Sequence, residues 1–418
     1  MELPSLFERL SNMPDDRERG KIKHEQAEVY ACVLLGMLAG KTTLRRIVKW
    51  CRSRLSWLRK YMPLDKGIAS ASTFSRILAA TDGEILALEL VNWVGGILNT
   101  RGIHIAIDGK GLRAAAQKMR DERTPYILNA IDVATKIVIC QIAINEKKNE
   151  IATIPELLEM IEISGSTVTI DAIGAAESIM NKIHDKGGEF VLQVKNNCPE
   201  LLKDILCLFN DAEGTKKRMG KKNGCGDKYS SHEKTEKNRD RHEYRKTQAY
   251  STQDGIEGIK EARPYIKSVG LSEQVRIKTV RDGEGNDITP GYDDFLKNGS
   301  RRQPKPDDSD GDDVIQRCGL ISSMFIDAKT MANYKRSHWS IENSLHYVLD
   351  EIFGEDKSRI LKGKFVAGAL RRTAYNIVRF LQISRKLVRD SVIGALDELE
   401  ENMGLATDYI FKPVPSMY

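Results

Sequence analysis

The run RGIHIAIDG, residues 101–109, marks a change of character in the chain. It reads as an apolar strand closing on Asp108 and Gly109. YILNAIDVA (126–134) and KIVICQIAI (136–144) follow as two more strands, with a short turn at Thr135 and Lys136. IPELLEMIEI (154–163) has helical spacing, and STVTID (166–171) is a strand ending at Asp171. AAESIMNKIHDKGG (175–188) is a helix closed by glycines, EFVLQVK (189–195) a strand, and CPELLKDILCLF (198–209) a helix. The order β-β-β-α-β-α-β-α implies a mixed sheet with helices packed on it.

Upstream, residues 1–98 read as all helical. EVYACVLLGMLAG (28–40) is a buried helix, and TLRRIVKWCRSRLSWLRKYM (43–62) alternates apolar and basic residues at helical spacing. SASTFSRILAA (70–80) opens on serines able to cap a helix. Such short basic helices fit a DNA-contacting helix-turn-helix or a plain accessory bundle. GMLAGKTT (36–43) imitates a phosphate loop, but only three residues separate Gly36 from Gly40 and no strand precedes it.

Downstream, residues 211–317 break the pattern with a basic run (Lys216 to Lys222), β-rich pieces and a Gly, Pro and Asp-rich stretch over 282–313. RCGLISSMF (317–325) is a further strand. AKTMANYKRSHWSIENSLHYVLDEIF (328–353) reads as one continuous helix, and 364–392 as an amphipathic helix pair. These readings divide the chain into 1–98, 99–385 with an insertion at 211–317, and a helical tail at 386–418.

Hydrophobic residues make up 41% and charged residues 30%, a globular mixture. No apolar run approaches the ~20 residues of a membrane helix, and no secretory signal opens the chain, so we expect a cytoplasmic protein without a membrane partner. Seven scattered cysteines without a CxxC pair point to reduced thiols and away from structural zinc. A net charge of +6 permits nucleic-acid binding without requiring it.

Asp108 and Asp171 close two strands that lie side by side in a ribonuclease-H-like sheet. Two aspartates on strand ends and a third carboxylate from a helix form a site for hard cations such as Mg²⁺. Two such ions roughly 4 Å apart serve phosphodiester cleavage. Taken singly, either aspartate is as readily a turn or helix cap. The third carboxylate is Glu342. On its helix Ile341, Leu345, Val348, Leu349 and Ile352 form an apolar stripe, while His338, Glu342 and His346 lie on a polar line. The two histidines are eight residues apart, about 12 Å along a helix, too far to share a zinc ion.

IAIDGKGLR, NEKKNEIATIPELLEMIEI, VTIDAIGA, EFVLQVKNNCPEL and SHWSIENSLHYVLDEIFGEDKSRI occur in this order. Together they resemble a DDE-type insertion-sequence transposase, and specifically the ISAs-one group with its bacterial H-repeat-associated proteins. The resemblance runs from about residue 14 to about 385. It implies that Asp108, Asp171 and Glu342 bind Mg²⁺ or Mn²⁺ in a ribonuclease-H-like α/β domain interrupted by a mainly β insertion. It implies cleavage at terminal inverted repeats, strand transfer into target DNA, and a homodimer working on the nucleoid. The signature Y-x2-R-x3-E-x6-K of broader relatives is not met, since Lys335, His338 and Leu349 stand at its positions. Lys110, Lys195, Arg336, His338, Trp339, Asn343 and Arg359 are the candidate DNA contacts; His338 and Asn343 read also as supports of the site, Trp339 more readily as core, and Lys110 and Lys195 equally as plain surface. Competing readings are a silent transposase-derived DNA-binding protein and a ribonuclease-H-like nuclease without strand transfer.

Overall fold

A computed structural model describes residues 4–112, 125–144, 150–210, 228–238, 240–251, 259, 263–289, 291, 315–358 and 360–414. The chain is mixed α/β and divides into two compact units, one of residues 1–166 with 339–418 and the other of residues 167–338.

The first unit begins with helices α1 (Leu6–Ser11), α2 (Gln26–Leu38), α3 (Leu44–Ser53), α4 (Leu55–Leu58), α5 (Ala71–Ala80) and α6 (Gly83–Ile97). Their starts follow from side chains that satisfy free N–H groups. Ser5 and Glu8 form a capping box on α1, Thr43 and Ser70 cap α3 and α5, and Asp82 caps α6. The apolar α2 is buried at every position, as an all-round hydrophobic helix must be. In α3 the two faces separate: Ile47, Val48, Trp50 and Cys51 are buried, while Arg45, Arg46, Lys49 and Arg52 are exposed.

Three antiparallel strands follow, β1 (His104–Gly111), β2 (Tyr126–Asp132) and β3 (Val138–Ile144), in the order β3-β2-β1. The tight turn between β2 and β3 places Lys136 at a φ of 66°. Helix α7 (Glu150–Met160) comes next. The C-terminal part of the chain then supplies α11 (Lys364–Ile383), α12 (Val392–Glu401) and α13 (Gly404–Phe411). The expected helix pair over 364–392 is therefore one 20-residue helix followed by a non-helical link. It is strapped to the β2–β3 hairpin. Asn376 exchanges hydrogen bonds of 2.7 and 2.9 Å with the Val138 backbone, and Arg379 donates twice to Thr135 O at 3.1 Å.

The second unit holds β4 (Thr167–Ile170), α8 (Glu177–Asp185), β5 (Glu189–Val194), α9 (Pro199–Asn210), β6 (Lys228–Asn238), β7 (Arg241–Ser251), β8 (Ser268–Lys278), β9 (Gln316–Ser322) and α10 (Ala328–His338). β4 and β5 are parallel, and the order runs β4-β5-β9-β8-β7-β6. The insertion strands thus extend this sheet from β5 instead of forming a sheet of their own. Strand β6 was hidden in the sequence because KYSSHEKTEKN carries charge where a core strand carries aliphatic side chains. It is the last strand of the order, where charged residues guard an edge.

The helix read as continuous over 328–353 is not so. α10 ends at His338, Trp339 is in a turn, and two π-helical segments, Glu342–His346 and Val348–Ile352, follow. The unit boundary falls at that break.

Candidate active site

Asp108 does not close its strand: β1 continues to Gly111. Across the ladder it pairs with Asn129 of β2. Its Oδ1 accepts the Gly109 N–H at 2.9 Å, and its Oδ2 lies 3.5 Å from His346 Nδ1. About a fifth of the Asp108 side chain stays exposed, 20%. A Cβ at Gly109 would stand 2.5 Å from Glu150 Oε1 at the start of α7 and 3.1 Å from the Tyr126 ring, so the Glu150 side chain would have to shift.

Glu342 opens the first π-helical segment and is exposed, as is Asn343. Ile341, Leu345 and Leu349 are fully buried and anchor the segment, with Val348 at 7% exposure. The sequence stripe therefore has the expected role. The Tyr347 N–H donates to Glu342 O, five residues back, which marks the widened turn. π-turns of this kind recur at functional sites.

In the second unit Asp171 is the first residue after β4 and is half-buried, with its carbonyl accepting the Gly174 N–H at 2.9 Å. Beneath β4, His338 Nδ1 lies 3.2 Å from Thr169 Oγ1. Burial pushes the His338 imidazole down to about 4, although Asp171 pulls it up and Thr169 helps. His338 is therefore neutral at ordinary pH. Buried and uncharged, it stands inside the fold, a placement that suits the support role the sequence left open beside DNA contact.

Lys110 is buried as well. Its side chain is only 6% exposed, and its ammonium lies 2.6 Å from Asp350 Oδ1 and 3.8 Å from Asp356 Oδ1. A buried ammonium already shared by two carboxylates is poorly available to a phosphate. Burial pushes the Asp350 carboxyl up and Lys110 pulls it down, while Asp356 and Glu355 push it up, so that it stands above the usual range. Next to this group Arg372 and Glu355, each 1% exposed, form an ion pair at 2.8 Å. Arg372 also donates to Asn129 Oδ1 and to Gly368 O. Burial alone would push the Glu355 carboxyl up, but Arg372 and Arg371 outweigh it and hold it below the usual range. None of these partners was singled out from the sequence. Their only sequence signal is the density of acidic and basic residues in LDEIFGEDKSR (349–359) and ALRR (369–372).

The remaining candidates lie at the surface. Lys195 and Arg336 are exposed, the latter 3.7 Å from Glu236, and Trp339 keeps 40% of its surface open. Arg359, the basic run 216–222 and most of 282–313 lie outside the described residues. Among the described residues no group of three or more His, Cys, Asp or Glu is gathered to hold a metal ion, and no helix is long and apolar enough to cross a membrane.

Residues 99–377 match the family described as Transposase DDE domain, and residues 7–94 match the DDE_Tnp_1-associated family that accompanies it. The chain belongs to the Transposase DDE domain family. It is 30% identical to "Putative transposase YncI" of Escherichia coli O157:H7 over 397 residues, covering 91% of this chain and 88% of that one. It is 26% identical to "H repeat-associated putative transposase YhhI" of Escherichia coli K12 over 381 residues, covering 90% and 91%. Among solved structures, a piggyBac transposase synaptic complex with hairpin DNA aligns with 97% of this chain and 78% of that one, at 12% identity and a TM-score of 0.45.

Proposed function

We propose that the protein is a metal-dependent transposase of the ISAs-one group, which cuts the ends of an insertion sequence and joins them to target DNA. In this reading Asp108, Asp171 and Glu342 are the metal-binding carboxylates, and the cation is Mg²⁺ or Mn²⁺. The observation that carries the reading is the family match over residues 99–377, a span that includes all three. The donor chemistry suits such a cation. Asp108 offers a hard carboxylate oxygen on a side chain that is a fifth exposed. When bound, the metal supplies activation of the attacking oxygen and stabilisation of the leaving one. The chain's own part is to hold Asp108 on a rigid strand and Glu342 on an anchored helix. The exposed Lys195, Arg336, Trp339 and Asn343 are available to DNA. The exposed arginines and lysine of α3 suit an accessory DNA-binding role for residues 1–98. A homodimer would bring two element ends together.

The test uses the full chain and a DNA fragment bearing the flanks of its own gene. Asp108→Asn, Asp171→Asn and Glu342→Gln should each lower Mn²⁺-dependent strand cleavage by at least about 100-fold while mobility-shift binding persists. Cleavage at the normal rate by any of the three removes that residue from the set. Binding without cleavage by the unaltered protein favours the silent DNA-binding reading instead.

A further inference from the structure

Asp108 and Lys110 are two residues apart on β1, so their side chains emerge on the same face about 6.6 Å apart. His346 and Asp350 are four residues apart on the π-helical stretch that begins at Glu342, close to one turn, so both face the same side. The structure pairs them in order. His346 meets Asp108 at 3.5 Å, and Asp350 meets Lys110 at 2.6 Å. Asp356, just beyond the helix, approaches the same ammonium at 3.8 Å. The facing oxygens of Asp350 and Asp356 are buried and have no other hydrogen-bond partner among the described residues. One ammonium therefore lies against two carboxylates that are only 22% and 27% exposed, and a slip of the helix by a residue in either direction would part Asp350 from it.

We propose that Lys110 is a positioning residue: by holding Asp350 and Asp356 with one buried ammonium, it fixes the register of the Glu342-bearing helix along the Asp108 strand. The proposal rests on the assignment of Asp108 and Glu342 as metal-binding carboxylates. Lys110 itself touches neither DNA nor metal. Its effect on chemistry passes through the spacing of two carboxylates carried by different elements. The apolar stripe alone would not fix that spacing, because aliphatic side chains tolerate a small slide that a buried charge does not.

The experiment compares the full-length protein with Lys110→Met and Lys110→Arg by peptide-resolved hydrogen exchange and by calorimetric titration with MnCl₂, without DNA. Lys110→Met should speed exchange in residues 342–352 by about tenfold, leaving 26–38 in α2 unchanged. It should also weaken Mn²⁺ binding by about tenfold, in the range seen when groups supporting metal ligands are lost. Lys110→Arg should recover most of both. Unchanged exchange in 342–352, or acceleration spread equally over 26–38, overturns the proposal, the second by making Lys110 ordinary support of the fold. If the unaltered protein binds no Mn²⁺ while the local exchange pattern appears, the metal reading fails and the register device stands. Should Lys110→Met not fold, Asp350→Asn replaces it, since Lys110 then keeps Asp356. The same local pattern at smaller size is expected, and its absence again overturns the proposal.

Discussion

Asp108 and Arg372 both bear on the β1–β2 ladder of the first unit, Asp108 from within it and Arg372 through Asn129, yet their surroundings are built in opposite ways. Asp108 keeps a fifth of its side chain open and has a histidine at 3.5 Å. Arg372 and Glu355 are 1% exposed, and the guanidinium has the carboxylate, an amide oxygen and a backbone carbonyl as partners. If Asp108 takes up a cation, as proposed, its charge stands near solvent. A charge meant to hold helix to sheet is sealed and fully paired. Lys110 stands between them, on the strand of the first kind of site but buried like the second.

That contrast is broken most severely at Arg372. Arg372→Met strands the Glu355 carboxylate in the core and leaves Asn129 Oδ1 without its donor. Removing one partner of a buried ion pair costs about 3–5 kcal/mol. Urea unfolding should show a loss of that size. A loss under about 1 kcal/mol would place the pair in the weak class of surface bridges and erase the distinction.

The second unit offers a gentler probe, because His338 is a sealed ionisable group close to the more open Asp171. Its folded-state value, about 4, is below the ordinary 6.5. The stability tied to its neutral form is thus fully present above pH 6.5 and lost as pH falls toward 4. The loss should approach roughly 3 kcal/mol by that point. His338→Gln removes the titration, so the difference in unfolding free energy between pH 7.5 and 4.5 should shrink by about 2–3 kcal/mol relative to the parent. An unchanged pH difference would mean that His338 is solvated.

These two groups also show where a sequence can be read and where it cannot. Strands β1 to β5 and their helices were legible because their burial is aliphatic and leaves a periodic trace. Asp108, Asp171 and Glu342 stand out as candidates because each stands against an apolar pattern. The end of β1 was misjudged at Lys110. There burial is achieved by ion pairing with residues 240 and 246 positions away, and no local pattern records a distant partner. The same holds for Arg372, whose acid lies 17 residues back across a turn. β6 escaped because its stability comes from ladder bonds to β7, while its side chains are those of an exposed edge. The π-turns escaped because an apolar stripe fits a widened helix as well as a regular one.

The smallest effect expected is on stability at Asp108 itself. Asp108→Asn keeps an oxygen able to accept the Gly109 N–H and keeps the residue's volume. What it changes is the charge facing His346 Nδ1 at 3.5 Å, at a side chain that is a fifth exposed. Partly exposed pairs of this kind contribute about 0–1 kcal/mol. Asp108→Asn should therefore unfold within about 1 kcal/mol of the parent, even as its cleavage activity collapses. Stability and activity would then separate at Asp108 and fall together at Arg372. If Asp108→Asn instead cost as much as Arg372→Met, the carboxylate would be part of the scaffold. Its openness would then reflect incomplete packing, and the case for it as a ligand-binding group would lose its physical basis.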